Sequence, residues 1–132
     1  MQASIIERTM FNIVADDVGR LRDFYTRLLA FEPTFDSDWY VVLVPKDGPK
    51  MELGIIARSS DITPQAAASA PGGGYLTFVV ENVLLAFDRA KAMGADIIEP
   101  PTDMEYGQSR MLLRDPAGTV VDISSPTPAM TA

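Results

Sequence analysis

An internal repeat constrains the fold of this chain more than any other feature of its sequence. Residues 11–18 (FNIVADDV) match residues 76–83 (LTFVVENV), and each segment has the pattern of a strand, an acidic or amide pair and the start of a helix. A second match relates Met51-Glu52-Leu53 to Val121-Asp122-Ile123, and in both places a strand with one acid follows a turn that contains Gly. The sequence therefore predicts two tandem βαβββ modules, which is an α+β fold.

The pattern predicts the elements of both modules in the same order. In the first module we expect a strand at Met10–Ala15 and then a helix that begins at Val18 and is capped by Asp17. Three more strands follow at Phe31–Phe35, Trp39–Val44 and Met51–Ala57. In the second module we expect a strand at Tyr75–Val80 and then a helix from Asn82 to Gly94. A brief strand at Ala95–Ile98, a loop with two prolines at Glu99–Tyr106 and a hairpin at Tyr106–Pro126 follow. The modules span about residues 5–57 and 74–125 of a single domain, 1–132, with a linker at 58–73.

The absence of two residue types narrows the chemistry. The chain has no Cys and no His, so thiolate ligands, disulfides and a Cys nucleophile are excluded, and so is the commonest general base. The net charge of −7 disfavours nucleic acid and anionic membrane surfaces as partners. No apolar run is long enough to span a bilayer, and the first residues lack the pattern of a secretion signal. We therefore expect a cytoplasmic protein.

An ordered set of short motifs resembles the vicinal oxygen chelate superfamily. The motifs are Asp17, Phe24-Tyr25, Leu28-Leu29 with Phe31, Gly94-Ala95, Tyr106-Gly107, Asp115-Pro116-Ala117-Gly118 and Val120-Val121-Asp122. That superfamily includes glyoxalase I, extradiol dioxygenases and the fosfomycin and bleomycin resistance proteins. The resemblance implies paired βαβββ modules whose curved mixed sheets enclose a cup, commonly within a homodimer.

The resemblance also implies where a metal would bind. By position, the ligand places of the superfamily fall on Met10, Glu52, Tyr75 and Asp122. A thioether and a phenol are poor ligands for hard divalent ions at neutral pH, which leaves two carboxylates and no imidazole. A divalent metal is therefore not expected, and no other cofactor is implied.

Strand alternation predicts which side chains share the cup with the two acids. The predicted ligand-binding residues are Met10, Asn12, Trp39, Tyr40, Glu52, Tyr75, Thr77, Tyr106, Arg110, Asp122 and Ser124. The opposite faces of the same strands, with Leu53, Ile55, Val121 and Ile123, are expected to pack under the helices. A structural alternative for Glu52 is a salt bridge, with Arg110 as a candidate partner.

Three functions fit this pattern. The first is a metal-independent protein, similar to the bleomycin resistance proteins, that sequesters a small aromatic or cationic molecule in an acidic cup. The second is an enzyme of the superfamily, a lyase, isomerase or dioxygenase with a degenerate or metal-free site, in which Glu52 or Asp122 acts as the catalytic base. The third is a domain that serves only in assembly. We expect a homodimer, because thin modules leave sheet edges and apolar surface uncovered.

Overall fold

The computed structural model describes residues 5–69 and 72–127 of the chain. The chain divides into two compact units, Met1–Ala68 and Ser69–Ala132. Within the described ranges each unit contains one α-helix and one four-stranded mixed sheet, and unit one also has a short 3-10 helix at Gln65–Ala67. The predicted α+β class and the tandem βαβββ layout are therefore confirmed. Neither of the α-helices found in the described ranges has the length and apolar character needed to cross a bilayer.

Unit one has strands β1 to β4 and helix α1. The bounds are β1 Met10–Ala15, α1 Val18–Leu29, β2 Phe31–Asp36, β3 Tyr40–Pro45 and β4 Glu52–Ala57, and the sheet order is β1-β4-β3-β2. β1 runs parallel to β4, and the other pairs are antiparallel. The helix begins where the side chain of Asp17 accepts a hydrogen bond from the Arg20 amide at 3.0 Å. One face of α1 and one face of the sheet form the core, with Leu21, Tyr25, Leu28, Leu53 and Ile55 fully buried.

Unit two repeats this arrangement with strands β5 to β8 and helix α2. The bounds are β5 Leu76–Val79, α2 Val83–Ala92, β6 Asp96–Asp103, β7 Gln108–Arg114 and β8 Val120–Pro126, in the sheet order β5-β8-β7-β6. The Asn82 side chain accepts a hydrogen bond from the Leu84 amide at 2.9 Å, and Gly94 follows the helix with a φ of 67°. Val121 and Ile123, which were expected under the helix, are fully buried.

The prediction for the segment before β7 is wrong. Instead of a brief strand and a loop, one strand runs from Asp96 to Asp103 through Pro100 and Pro101. Among the described residues β6 lies at the edge of its sheet, beside β7, and a proline is tolerated in an edge strand where its nitrogen faces away from the neighbouring strand. The pairing register also shifts twice between Ile97 and Thr102, and such bulges accommodate residues that cannot donate a hydrogen bond.

The β7–β8 hairpin fixes the position of Asp122. A carboxylate oxygen of Asp115 accepts hydrogen bonds from the amides of Ala117 and Thr119, both at 2.9 Å. Gly118 adopts a φ of 92°, a conformation that side chains disfavour, and its amide donates to the Asp115 carbonyl at 2.9 Å. This turn sets the register that places Asp122 opposite Leu112.

Candidate functional site

Glu52 in unit one is already paired with a cation. It is the first residue of β4 and lies opposite Met10 of β1. The Nε and Nη2 atoms of Arg8 donate to its Oε2 and Oε1 atoms at 2.5 and 2.6 Å. These hydrogen bonds hold the pKa of the Glu52 carboxyl below its usual value. The salt bridge weighed for Glu52 therefore exists, but its partner is Arg8 and not Arg110.

Aromatic side chains lie close together on the β2–β3 hairpin. The ring of Tyr40 stacks on Trp39 with a centroid distance of 5.6 Å and lies 6.0 Å from the ring of Phe35. Its hydroxyl donates to the Met10 sulfur at 3.8 Å. Trp39 is 41% exposed and Phe35 is 51% exposed. Unit one thus presents an accessible aromatic surface next to Met10, as a ligand platform would require.

Asn12 and Gly54 fit each other across β1 and β4. They lie directly opposite in the sheet, and a Cβ atom on Gly54 would stand 2.0 Å from the Asn12 Oδ1 atom. The absence of a side chain at Gly54 therefore leaves the space that the Asn12 amide occupies.

Asp122 in unit two has a different environment from Glu52. It is only 6% exposed and lies opposite Thr77 of β5 and Leu112 of β7. The Thr77 hydroxyl donates to Oδ2 at 3.3 Å. The Oδ1 atom is buried and has no hydrogen-bond partner among the described residues. Burial raises the pKa of the Asp122 carboxyl, while the Thr77 hydrogen bond and the charge of Arg110 act in the opposite direction.

Other polar groups on β7 are also incompletely satisfied. Arg110 lies opposite Ser124 in the sheet, and its Nη2 atom is 3.8 Å from Glu99 Oε2. Within residues 5–69 and 72–127, the Arg110 Nε atom and the Gln108 Oε1 atom are buried without a hydrogen-bond partner. Buried polar atoms are nearly always paired, so unpaired ones indicate a place where a ligand or water completes the set.

The two remaining predicted site residues are exposed. Tyr75 precedes β5 and is 64% exposed, and Tyr106 lies in the turn between β6 and β7 and is 59% exposed. By sequence position Tyr75 was the expected neighbour of Asp122, because it matches Met10 in the first module. In the sheet, the residue opposite Asp122 is Thr77, two positions after Tyr75.

The residues at the superfamily's ligand positions do not fit a transition metal. Arg8 occupies both oxygens of Glu52, and Met10 accepts from Tyr40. Asp122 supplies a single carboxylate, and a chain without His or Cys offers it no imidazole or thiolate as a second ligand, which makes a poor set for a transition metal. Across the described ranges no three acidic side chains come close enough together to hold a metal ion.

Sequence reasoning missed Arg8, Gln108 and Glu99 as parts of these environments. Arg8 precedes Met10 by two positions, and Gln108 precedes Arg110 by two. Because alternate residues of an extended chain share a face, continuing the alternation back from Met10 and from Arg110 finds both. Glu99 required the continuous β6 strand that the prolines concealed.

Comparison with known proteins identifies relatives of the fold. Residues 6–123 match the family model described as the Glyoxalase/Bleomycin resistance protein/Dioxygenase superfamily. A crystal structure of a family enzyme from Burkholderia phytofirmans PsJN is similar, with 24% identity, a TM-score of 0.73 and coverage of 89% of this chain and 97% of that one. The crystal structure of a superfamily member from Sphaerobacter thermophilus DSM 20745 is also similar, with 23% identity, a TM-score of 0.72 and coverage of 92% of this chain and 98% of that one.

A third similar structure is TioX from Micromonospora sp. ML1, with 20% identity, a TM-score of 0.66 and coverage of 92% of this chain and 99% of that one. Among proteins with curated functional descriptions, none matches the chain. At these identities the structural likenesses establish the fold alone.

Proposed function

Because the chain belongs to the glyoxalase/bleomycin resistance protein/dioxygenase superfamily, we propose that it binds a small aromatic or cationic organic molecule without the aid of a metal. The observation that carries this proposal is the Asp122 carboxylate, which is buried on a sheet face with its Oδ1 atom unpartnered among the described residues. The acid of unit one is not equivalent, since Arg8 already neutralises it.

The energetics of Asp122 favour a ligand that donates hydrogen bonds. An ionised carboxylate with one unpaired oxygen is costly to bury, and a cationic or N–H group of a ligand would remove that cost. A cation about 4 Å away contributes about 4 kcal/mol at an effective dielectric constant of 20, before desolvation is subtracted. Binding of such a cation would also lower the pKa of Asp122 and release a proton from any molecule in which it is protonated.

The aromatic surface of unit one supports the choice of an aromatic ligand. Trp39 and Tyr40 stack on each other and leave part of the Trp39 ring open to solvent. Aromatic rings favour contacts with other rings and with the faces of planar cations. This support is separate from that of Asp122, since the two features lie in different units.

Matched probes test the role of charge. Benzamidinium, a planar aromatic cation, and benzamide, its neutral relative, are titrated into the full chain and followed by NMR. Asp122→Asn is expected to weaken the binding of benzamidinium about tenfold, which corresponds to about 1.4 kcal/mol, and to leave the affinity for benzamide almost unchanged. Glu52→Gln is the matched control and should change neither. Equal losses for both probes in Asp122→Asn, or no perturbation of residues around Asp122, would reject the proposal.

One observation favours an enzyme as a second candidate. The pKa of Asp122 is raised by burial, and a general base works best when its pKa lies closer to the ambient pH. Of the reactions considered, a proton abstraction of the lyase or isomerase type needs only this carboxylate. Incubating carbonyl compounds with the protein in D2O and measuring deuterium incorporation tests this candidate. Exchange that disappears in Asp122→Asn would support an enzyme, and no exchange across the panel would favour a binding protein.

We also propose a homodimer in the cytoplasm. The strands β1, β2, β5 and β6 lie at sheet edges, and Leu84 and Leu85 of α2 are more than half exposed. Pairing of edges and burial of apolar side chains both favour self-association. Light scattering should then give about twice the 14.4 kDa mass of the chain, and a monomer at micromolar concentration would contradict it.

A further inference from the structure

Unit one contains a cavity that the proposed function does not use. Its volume is about 490 Å3, which lies within the range of small-molecule sites. The cavity is formed between the segment that precedes β1 and the turn that joins β3 to β4. The lining residues that decide its chemistry are Arg8, Val44, Pro45, Pro49, Lys50 and Met51.

The cavity combines apolar walls with two cationic side chains. Val44, Pro45, Pro49 and Met51 supply the apolar part. Glu52 holds the guanidinium of Arg8 through its Nε and Nη2 atoms, and Nη1 has no partner among residues 5–69 and 72–127. Lys50 takes part in no ion pair within the same ranges. Both cations therefore retain donors for an acceptor in the cavity.

The fixed position of Arg8 matters for recognition. A free arginine side chain loses rotamer entropy when it binds a ligand, whereas the two hydrogen bonds to Glu52 restrain Arg8 in advance. A planar guanidinium held in this way presents its remaining edge to a carboxylate in a defined direction. Glu52 thus orients a cation in this protein.

The charge balance of the cavity disfavours a ligand with more than one negative charge. The lining carries two cations, Arg8 and Lys50, and two acids, Glu7 and Glu52, so its formal net charge is zero. A dianion such as phosphate would be repelled by Glu7 and by the net charge of −7. We propose that this cavity binds a small monocarboxylate with an apolar body, whose carboxylate accepts hydrogen bonds from Arg8 and Lys50. This site goes beyond the proposed function, because its lining includes neither Asp122 nor the aromatic pair Trp39 and Tyr40 and because it recognises the opposite charge.

Benzoate is the probe for this site, and benzamide is its neutral control. In an NMR titration of the full chain, benzoate should shift the amides of residues 7–9 and 48–52 in a saturable manner. Arg8→Gln and Lys50→Gln should each lower the affinity for benzoate at least fivefold. Lys46→Gln, which changes an exposed lysine of the same turn outside the cavity lining, should leave the affinity unchanged.

Further controls separate the contributions. Arg8→Gln also frees Glu52, so the double variant Arg8→Gln/Glu52→Gln is measured beside it, and the loss should persist if Arg8 contacts the carboxylate. Recovery of the original affinity in the double variant would overturn the assignment of Arg8. Equal effects of Lys46→Gln and Lys50→Gln, benzamide binding as tight as that of benzoate, or no shifts at these amides would overturn the site. Benzamidinium shifts around Asp122 should be unaffected by Arg8→Gln and Lys50→Gln, so this proposal and the proposed function fail independently.

Discussion

Glu52 and Asp122 are matched by the sequence repeat, yet their carboxylates have opposite environments in the two units. Glu52 is bound by the Arg8 guanidinium, and its pKa is lowered by those hydrogen bonds. Asp122 is buried with one unpartnered oxygen among the described residues, and its pKa is raised by burial. The two units therefore share one fold, while one acid holds a neighbouring cation and the other keeps a buried oxygen without a partner among the described residues.

The sheet register explains the difference physically. The helix caps Asp17 and Asn82 are equivalent, and counted from them Thr77 corresponds to Asn12. Thr77 lies opposite Asp122, whereas Asn12 lies opposite Gly54. The counterpart of Asp122 in unit one is thus Gly54, and Glu52 stands two residues nearer the start of its strand. Glu52, at the start of its strand, is within reach of Arg8 in the segment that precedes β1. Asp122 lies further inside its strand and is buried.

The largest expected effect comes from removing the cation beside Asp122. Arg110→Met keeps most of the aliphatic stem but removes the charge that stabilises the Asp122 carboxylate. We expect the free energy of unfolding to fall by about 2 kcal/mol at pH 7, because a buried charge is left uncompensated. The loss should shrink as the pH falls and Asp122 becomes protonated. Urea denaturation at several pH values measures it.

Arg114→Met is the matched control for that variant. Arg114 lies on the same strand, but it is exposed, and its Nη1 atom donates only to the Gly118 carbonyl at 3.2 Å among the described residues. Its loss should cost less than about 0.5 kcal/mol. If both variants cost the same, Arg110 contributes packing and not charge.

A smaller effect is expected from Asp122→Asn. Because the folded-state pKa of Asp122 is raised, its contribution to stability is present below the unfolded-state value of about 3.8 and is lost as the pH rises through the folded-state value. The variant should therefore be more stable than the parent by about 1 kcal/mol at pH 7 and no more stable below the unfolded-state pKa. A gain that is independent of pH would mean that the carboxylate charge is not the cause.

Parts of this comparison were predictable from sequence. The repeat, the two helix caps and the Asp115–Gly118 turn predicted the order of elements, because each depends on local periodicity or local hydrogen bonds. The burial of Leu53 and Val121 followed from alternation. The Arg8 pairing depends on where a segment outside the strands lies, and the Thr77 register depends on pairing between distant strands. Local patterns do not determine either of these.

The smallest expected effect comes from Arg8→Ala. The pair of Arg8 and Glu52 is substantially exposed, and exposed ion pairs contribute little to stability. Glu52 has a lowered pKa, so any stabilisation is present above its unfolded-state value of about 4.5 and is lost as the pH falls through the folded-state value. The variant should change the denaturation midpoint very little at pH 7. A large destabilisation would show that Arg8 organises the start of β1 as well as Glu52.

The most direct measurement is an NMR titration of the side-chain carboxyl carbons of Asp122 and Glu52 in the same sample. The opposite environments predict that Asp122 titrates above the ordinary value of 3.8 and Glu52 below the ordinary value of 4.5. In Arg8→Ala, the pKa of Glu52 should rise while that of Asp122 stays where it was. Both carboxyls titrating at their ordinary values, or Asp122 titrating below 3.8, would contradict the distinction between an acid that is paired with a cation and one that is buried with an unpartnered oxygen.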